Sequence, residues 1–277
     1  MSLPPILANK HPGAPSVFSP AALLREARRQ KGLAIVQVPA VCILDPDGDL
    51  VRRLKASGRA RRLDAWPCYH TDLYAFALAG ETVGIIGCVV GAPFAVLVAE
   101  ELFACGCRFL LNLTSAGQVV PAGSPPYFVV IDRALRDEGT SYHYAAPSEF
   151  AEADTNLVST VMAALDRAGL HAVAGSSWTT DAPFRETPEA IASARAKGVL
   201  AVEMEAAALY AWARARAAAV LCIAHVTNTM GQAEGDFEKG DADGSSASLA
   251  VITIAARAWR GIASGQSAQD LSREGSR

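Results

Sequence analysis

The chain has 277 residues, a formal net charge of −3 and 51% hydrophobic residues. A chain of this length forms one large domain or two small ones and can bury about three quarters of its unfolded surface. The slight acidity argues against binding to nucleic acid or to an anionic membrane, because both need basic patches. No apolar run has the length of a membrane span, and the N-terminus lacks the pattern of a secretory signal.

The six cysteines do not indicate a metal centre. Most of them lie inside apolar runs, where a free cysteine behaves as a small hydrophobic residue. Cys105 and Cys107 are separated by one residue, a spacing typical of neither zinc ribbons nor redox motifs. We therefore expect no metal and no cofactor, and reduced thiols in a cytoplasmic protein.

Three regions follow one another along the chain. Residues 1–37 are predicted to form an extended arm, because prolines prevent a helix there, and then a short helix at 20–30. Residues 38–263 alternate apolar runs with helical patterns, without a repeat or a linker. That alternation predicts a single α/β domain with helices on both faces of a largely parallel sheet. Residues 264–277 are a polar tail.

The individual elements of the domain can be predicted from the same patterns. Strands are expected at residues 38–44, 82–90, 108–117, 127–135, 171–178, 199–202 and 217–224. Helices are expected from residue 50 and at 95–104, 155–168, 206–219 and 245–262. Because ligands of such sheets bind at the carboxyl ends of strands, the strand ends should converge on one site.

The strongest candidate site lies at a strand-to-helix junction, where Glu203, Met204 and Glu205 separate an apolar run from an alanine-rich helix. Two carboxylates beside apolar residues are costly to bury without partners. A sugar diol would satisfy them, since a carboxylate accepts two hydroxyl hydrogen bonds at once. The alternative is a pair of solvated glutamates at a helix start, where the helix dipole favours anions. Spacing alone does not decide between the two.

The segment Val202-Glu-Met-Glu-Ala-Ala-Ala-Leu209 resembles the ribose-binding signature of the nucleoside phosphorylases, which include purine nucleoside and uridine phosphorylases. Residues 136–144, 151–154 and 179–187 also resemble segments of that family and follow in its order. The resemblance covers about residues 41–263. It implies a three-layer α/β/α sandwich with a mixed central sheet, a nucleoside substrate, phosphate as co-substrate and a homo-oligomer built from dimers.

The resemblance also implies roles for particular residues. Glu205, assisted by Glu203, would hold the ribose hydroxyls, and Met204 would pack against the sugar. The family's phosphate-binding arginines are absent from the aligned positions. Those positions are Pro46 and Leu50 in the first turn, and Asn112 and Ser115 on a later strand. None of the four carries a charge, so an atypical phosphate site is expected unless Arg136 or Arg185 supplies one.

The base-binding half is equally atypical. The family places aromatic rings beside the nucleobase at the positions of Trp178 and Phe184, although either ring can instead pack in the core. Arg185 is the nearest substitute for the polar pair with which uridine phosphorylases bind uracil. Asn228 stands where purine-cleaving relatives have an aspartic acid that protonates the leaving base, and an amide has no such proton to give. The sequence therefore does not decide between a purine and a pyrimidine base.

Three functions follow from these residues. Phosphorolysis of a nucleoside, with Glu205 and Asn228 in catalytic positions, comes first because of the family. A nucleosidase that uses water is the second. A non-catalytic nucleoside-binding protein is the third, and it is favoured by the missing phosphate ligands. An N-terminal histidine completes the site in some relatives, but the match around His11 is poor and we expect it in solvent.

Overall fold

The structure is a computed structural model that describes residues 4–230 and 234–265. The strands in these ranges are β1 (Val41–Asp45), β2 (Ala60–Arg62), β3 (Tyr74–Leu78), β4 (Glu81–Gly87), β5 (Phe109–Gln118), β6 (Tyr127–Asp137), β7 (Phe150–Glu152), β8 (Ala172–Thr180), β9 (Ala201–Glu203) and β10 (Ala219–Asn228). The helices are α1 (Pro20–Lys31), α2 (Asp49–Ala56), α3 (Ala92–Ala104), α4 (Thr155–Arg167), α5 (Pro188–Ala196), α6 (Ala206–Arg216) and α7 (Ser245–Ala263). All of the predicted strands and helices are present. From residue 266 onward, the predicted tail lies outside the described residues.

The strands form one mixed sheet in the order β10-β6-β8-β9-β5-β1-β4-β3-β2, with β7 paired to β6. Strand β10 also pairs with β5, so β5, β9, β8, β6 and β10 close into a ring. The pairings of β1 with β4 and β5, and of β5 with β10, are parallel. These three pairings bring the carboxyl ends of β1, β5 and β10 to the same edge of the sheet.

The helices lie in two groups on the sheet. Helix α3 packs against α1 and α6, whereas α7 packs against α2 and α4. Each group covers buried strand residues, which belong to one large hydrophobic core. The arrangement confirms the predicted α/β sandwich with a mixed central sheet.

Helix α6 is anchored to the ring of strands by a buried tyrosine. The Tyr210 hydroxyl donates to the carbonyl oxygen of Ile131 on β6 (2.6 Å) and accepts from the amide of Cys222 on β10 (3.0 Å). The helix ends at Arg216, earlier than predicted, because Ala217 adopts a left-handed φ of 50°. This anchoring fixes the N-terminus of α6, and with it the Glu203–Glu205 junction.

Candidate active site

Glu203, the last residue of β9, is a buried cap for α6. Its Oε2 accepts hydrogen bonds from the amides of Glu205 and Ala206, each at 2.7 Å. Its Oε1 accepts from the hydroxyls of Ser177 (3.0 Å) and Thr179 (2.5 Å) on β8. Burial raises the pKa of Glu203, and these hydrogen bonds oppose the shift. Both oxygens of Glu203 thus accept hydrogen bonds within the chain and orient the junction, while its predicted assistance in holding the sugar stays a prediction.

Glu205 has a free carboxyl oxygen, although its side chain is only 1% exposed. Its Oε1 accepts from the amide of Gly91 (2.7 Å), and Oε2 has no hydrogen-bond partner. Burial raises the pKa of Glu205 to about 8, and the charge of Glu203 adds to the shift. The Thr114 hydroxyl is near enough to lower that pKa, but it donates to the carbonyl oxygen of Ser115 (3.2 Å). Glu205 is therefore the residue of the junction that can bind a ligand.

The turn before α3 explains how Glu205 is held. Gly91 has φ 91°, a conformation that favours glycine, and its amide, at the start of α3, is available to donate to Glu205. Pro93 near the first turn also suits a helix start. The carboxyl of Glu205 lies at this N-terminus, where unpaired amides and the helix dipole attract an anion.

A small acidic cavity lies beside this junction, at the carboxyl ends of β1, β5 and β10. Its volume is about 20 Å³. It is lined by Asp45, Asp47, Asp49, Leu50, Leu113, Thr114, Ser115, His225, Lys239, Asp243, Ser245 and Ser248. Thr114 both lines the cavity and acts on the pKa of Glu205, so the cavity and the junction are neighbours.

Lys239 connects the carboxylates of the turn between β1 and α2. Its Nζ lies 3.3 Å from Asp47 Oδ2 and also pairs with Asp49. The Ser115 hydroxyl donates to the same oxygen of Asp47. Burial lowers the pKa of Lys239, but the hydrogen bond and charge of Asp49 and the charge of Asp47 outweigh it, so the net shift is upward. The lysine is therefore a cation in an otherwise acidic cavity.

Two further groups of the cavity have shifted pKa values. Burial raises the pKa of Asp45 to about 6, against the hydrogen bond from the amide of Val51. Only Oδ2 of Asp45 accepts that bond (2.9 Å), so its other oxygen has no partner among the described residues. Burial and the charge of Lys239 lower the pKa of His225 to about 4, so this imidazole is neutral at pH 7. It stacks on Phe128 with 4.5 Å between ring centroids.

The four predicted phosphate positions do not form one site. Leu50 and Ser115 line the acidic cavity, and Pro46 is buried in the preceding turn. Asn112 is fully buried further down β5, and neither polar atom of its side chain has a hydrogen-bond partner.

The two arginines considered as replacements are elsewhere. The buried Arg136 donates to Ser141, Ser148 and the backbone of its own loop, and Arg185 is exposed.

Asn228 is placed at the site by the pairing of β10 with β5. It lies opposite Gly117, which in turn pairs with Val202 of β9. A Cβ at Gly117 would lie 2.5 Å from Met230 Sδ, so only glycine allows this close approach. The side-chain oxygen of Asn228 accepts from the amide of Met230 (2.9 Å), and its nitrogen donates to the Thr227 hydroxyl (3.2 Å). The side-chain amide of Asn228 is thus hydrogen-bonded to its neighbours along the chain, Thr227 and Met230.

The predicted base-binding residues differ in exposure. Trp178 is 4% exposed and packs in a small cluster with Val119, Val199 and Val202, while its Nε1 donates to Asp137 (3.0 Å). This geometry matches the core-packing alternative, because little of the ring is exposed. Phe184 is 99% exposed.

Met204 is partly buried beside the junction, and His11 is exposed as expected.

Sequence reasoning missed Lys239, His225 and the free oxygen of Asp45. Lys239 lies 192 positions from Asp47 along the chain, and no local pattern indicates that contact. The aspartates of the first turn were a partial signal, because like charges there would repel phosphate.

Residues 4–230 and 234–265 were described above, and two features of these ranges concern metal ions and membranes. No group of three or more His, Cys, Asp or Glu residues there is arranged to hold a metal ion. Within the same ranges, no helix combines the length and apolarity that a bilayer crossing needs.

Curated relatives match about half of the chain. A DeoD-type purine nucleoside phosphorylase of Colwellia psychrerythraea is 29% identical over 139 residues, which are 50% of this chain and 59% of the relative. A guanosine phosphorylase of Halorubrum lacusprofundi is 27% identical over 135 residues, 49% of this chain and 56% of the relative. The chain thus spans less than two thirds of the length of these relatives.

The comparison with solved structures concerns the fold. Uridine phosphorylase from Vibrio fischeri ES114, in complex with 6-hydroxy-1-naphthoic acid, has a TM-score of 0.67 at 24% identity. That alignment covers 79% of this chain and 90% of the other. The sequence model described as the phosphorylase superfamily matches residues 40–260, most of the chain. This match over most of the chain shows that the protein belongs to the phosphorylase superfamily.

Proposed function

We propose that this protein cleaves the N-glycosidic bond of a nucleoside, with water as the nucleophile in place of phosphate. The observation that carries this proposal is the acidic cavity of about 20 Å³ at the strand ends, next to Glu205. A volume of roughly 10–15 Å³ accommodates one water molecule, so this cavity has room for water.

The charge of the cavity supports the same nucleophile. Asp45, Asp47 and Asp49 face a single lysine there, and His225 is neutral at pH 7. Two unit charges about 4 Å apart interact by roughly 4 kcal/mol at the effective dielectric constant near a protein surface. Phosphate would therefore meet net repulsion, whereas a neutral water molecule would meet several acceptors and donors.

The ribose would bind at Glu205. Its free Oε2 is a buried acceptor without a partner, and leaving such a group unpaired costs about 1–3 kcal/mol. Hydroxyls of a ribose would satisfy it. Because Thr114 lines the cavity and also acts on Glu205, we propose that a sugar held at the junction turns its C1′ side toward the cavity.

The chemistry then follows from Asp45. As the base leaves, the sugar becomes oxocarbenium-like and water adds to C1′. Asp45, with a pKa of about 6 and one oxygen free, accepts the proton of that water, since a general base works best with a pKa near the working pH. Asn228 has no acidic proton, so the departing base takes its proton from solvent.

Phosphorolysis is the second candidate, supported by membership of the superfamily. Release of free base from a panel of purine and pyrimidine nucleosides, with and without phosphate, decides between the two. Release without phosphate supports hydrolysis, and release only with phosphate refutes it in favour of phosphorolysis. If no base is released but nucleoside binds, and Glu205→Ala loses that binding while Glu152→Ala on the surface keeps it, the protein is a nucleoside-binding protein.

A further inference from the structure

The described part of the connection between β10 and α7, residues 234–244, borders the acidic cavity. It contributes Lys239 and Asp243 to the lining, and Gly244 packs on the imidazole of His225, where a Cβ would lie 2.5 Å from Cε1. The amide of Glu238 donates to the carbonyl oxygen of Thr227 (2.8 Å), which holds the connection to the end of β10.

A second, larger cleft lies on the other side of this connection. Its volume is about 750 Å³, and it is lined by Asp49, Arg52, Arg53, Ala56, Ser57, Lys239 and Asp243. Three of these residues, Asp49, Lys239 and Asp243, also line the acidic cavity. They thus form a wall between the small cavity and the larger cleft.

Lys239 holds the residues of this wall together through ion pairs. Its ammonium group pairs with both Asp47 and Asp49, and Asp47 is in turn held by the Ser115 hydroxyl. Asp49 also pairs with Arg52, so Lys239 is the residue that joins Asp49 to Asp47.

We propose that Lys239 is a specificity-determining residue that closes the acidic cavity against the outer cleft and so restricts the nucleophile to water. This inference rests on the hydrolytic function proposed above. Without the side chain of Lys239, the cavity joins the cleft and admits a nucleophile larger than water. Methanol is the smallest alcohol that tests this, because it is a water molecule with one added methyl group.

The competing reaction balances in the same way as hydrolysis. The methanol oxygen bonds to C1′ as the bond from C1′ to the base nitrogen breaks, and Asp45 accepts the methanol proton. The products are a methyl riboside and the free base, which takes a proton from solvent. The ratio of methyl riboside to ribose therefore reports the access of methanol relative to water.

The experiment uses a nucleoside that the wild-type protein cleaves without phosphate, at a fixed low concentration of methanol. We expect Lys239→Ala to raise the ratio of methyl riboside to ribose by roughly tenfold or more, since a close-fitting site discriminates by that factor against one extra carbon. Lys239→Arg, which keeps the ion pairs, should give the wild-type ratio. The control is Lys197→Ala, which removes a lysine paired with Glu149 on the surface. Equal ratios in all four proteins would overturn the proposal while leaving the hydrolysis intact.

A second measurement does not depend on turnover. The amide of Val51 donates to Asp45, which lines the cavity. The rate of hydrogen exchange at this amide therefore reports the entry of solvent. Exchange at Val51 should become faster in Lys239→Ala and remain unchanged in Lys239→Arg and Lys197→Ala. If the alanine variant does not fold, Lys239→Gln, which keeps most of the length without the charge, replaces it. Unchanged exchange would refute the closing role, even if the wild-type protein cleaves no nucleoside and the hydrolytic proposal fails.

Discussion

Replacing Glu205 with glutamine should alter how the stability of the protein depends on pH. The ordinary pKa of this carboxyl, 4.5, rises to about 8 in the folded chain because of burial and the charge of Glu203. Between these values the folded protein keeps a proton that the unfolded chain has lost. The stability from this group is therefore complete below the unfolded pKa and is lost as the pH rises through about 8.

The size of the effect follows from the shift. Each pKa unit corresponds to about 1.4 kcal/mol, so this group alone should lower the unfolding free energy of the wild-type protein by about 4 kcal/mol across that range. Glu205→Gln has no proton to lose. The unfolding free energy of the wild-type protein relative to the variant should therefore fall by about 4 kcal/mol from about pH 5 to about pH 9.

Urea unfolding of both proteins at these two pH values measures the difference. The glutamine amide lacks a partner at the former Oε2, which lowers the unfolding free energy of the variant equally at both pH values. This constant cost cancels when the two pH values are compared. Glu152→Gln, a change at an exposed carboxyl of β7, serves as the control and should follow the wild-type protein. Parallel stability curves for wild type and Glu205→Gln would refute a raised pKa at this position.

Three other changes have defined outcomes. Asn112→Leu should raise the unfolding free energy by about 1–3 kcal/mol in thermal or urea unfolding, because it removes two buried polar atoms without partners. Asp45→Asn should slow base release by roughly 100-fold or more without weakening nucleoside binding, and should remove the rise in wild-type activity through about pH 6. Trp178→Phe should cost about 1 kcal/mol of stability, through the lost bond to Asp137, and leave KM unchanged; a large rise in KM would restore the stacking role.

The sequence was most informative where a local pattern of residues determines the secondary structure. Helix α6 was predictable because its alanine-rich run is long and follows an apolar strand. Strands β2, β3 and β7 were not predicted, and β2 and β7 have only three residues each. Helix α5 was also missed, although Thr187 caps it and Pro188 begins it.

The candidate site shows the same division. The position of Glu205 was predicted from its neighbours along the chain. The orienting role of Glu203, in contrast, depends on two hydroxyl groups of β8 that lie 24 and 26 positions away. The exposure of Trp178 could not be derived from residue type, because a tryptophan suits a core as well as a base. The contact of Lys239 with the first turn depends on the whole sheet bringing β1 and β10 to one edge.

The ring of strands also bears on how the protein avoids aggregation. A strand with an unpaired edge can serve as a template for another chain, and a closed ring removes such edges. One open end of the described sheet is β2, which has only three residues, and its Arg61 and Arg62 are exposed. Short length and positive charge both discourage the addition of a further strand. We therefore expect substitution of these two arginines by apolar residues to leave the fold intact but to reduce the solubility of the protein.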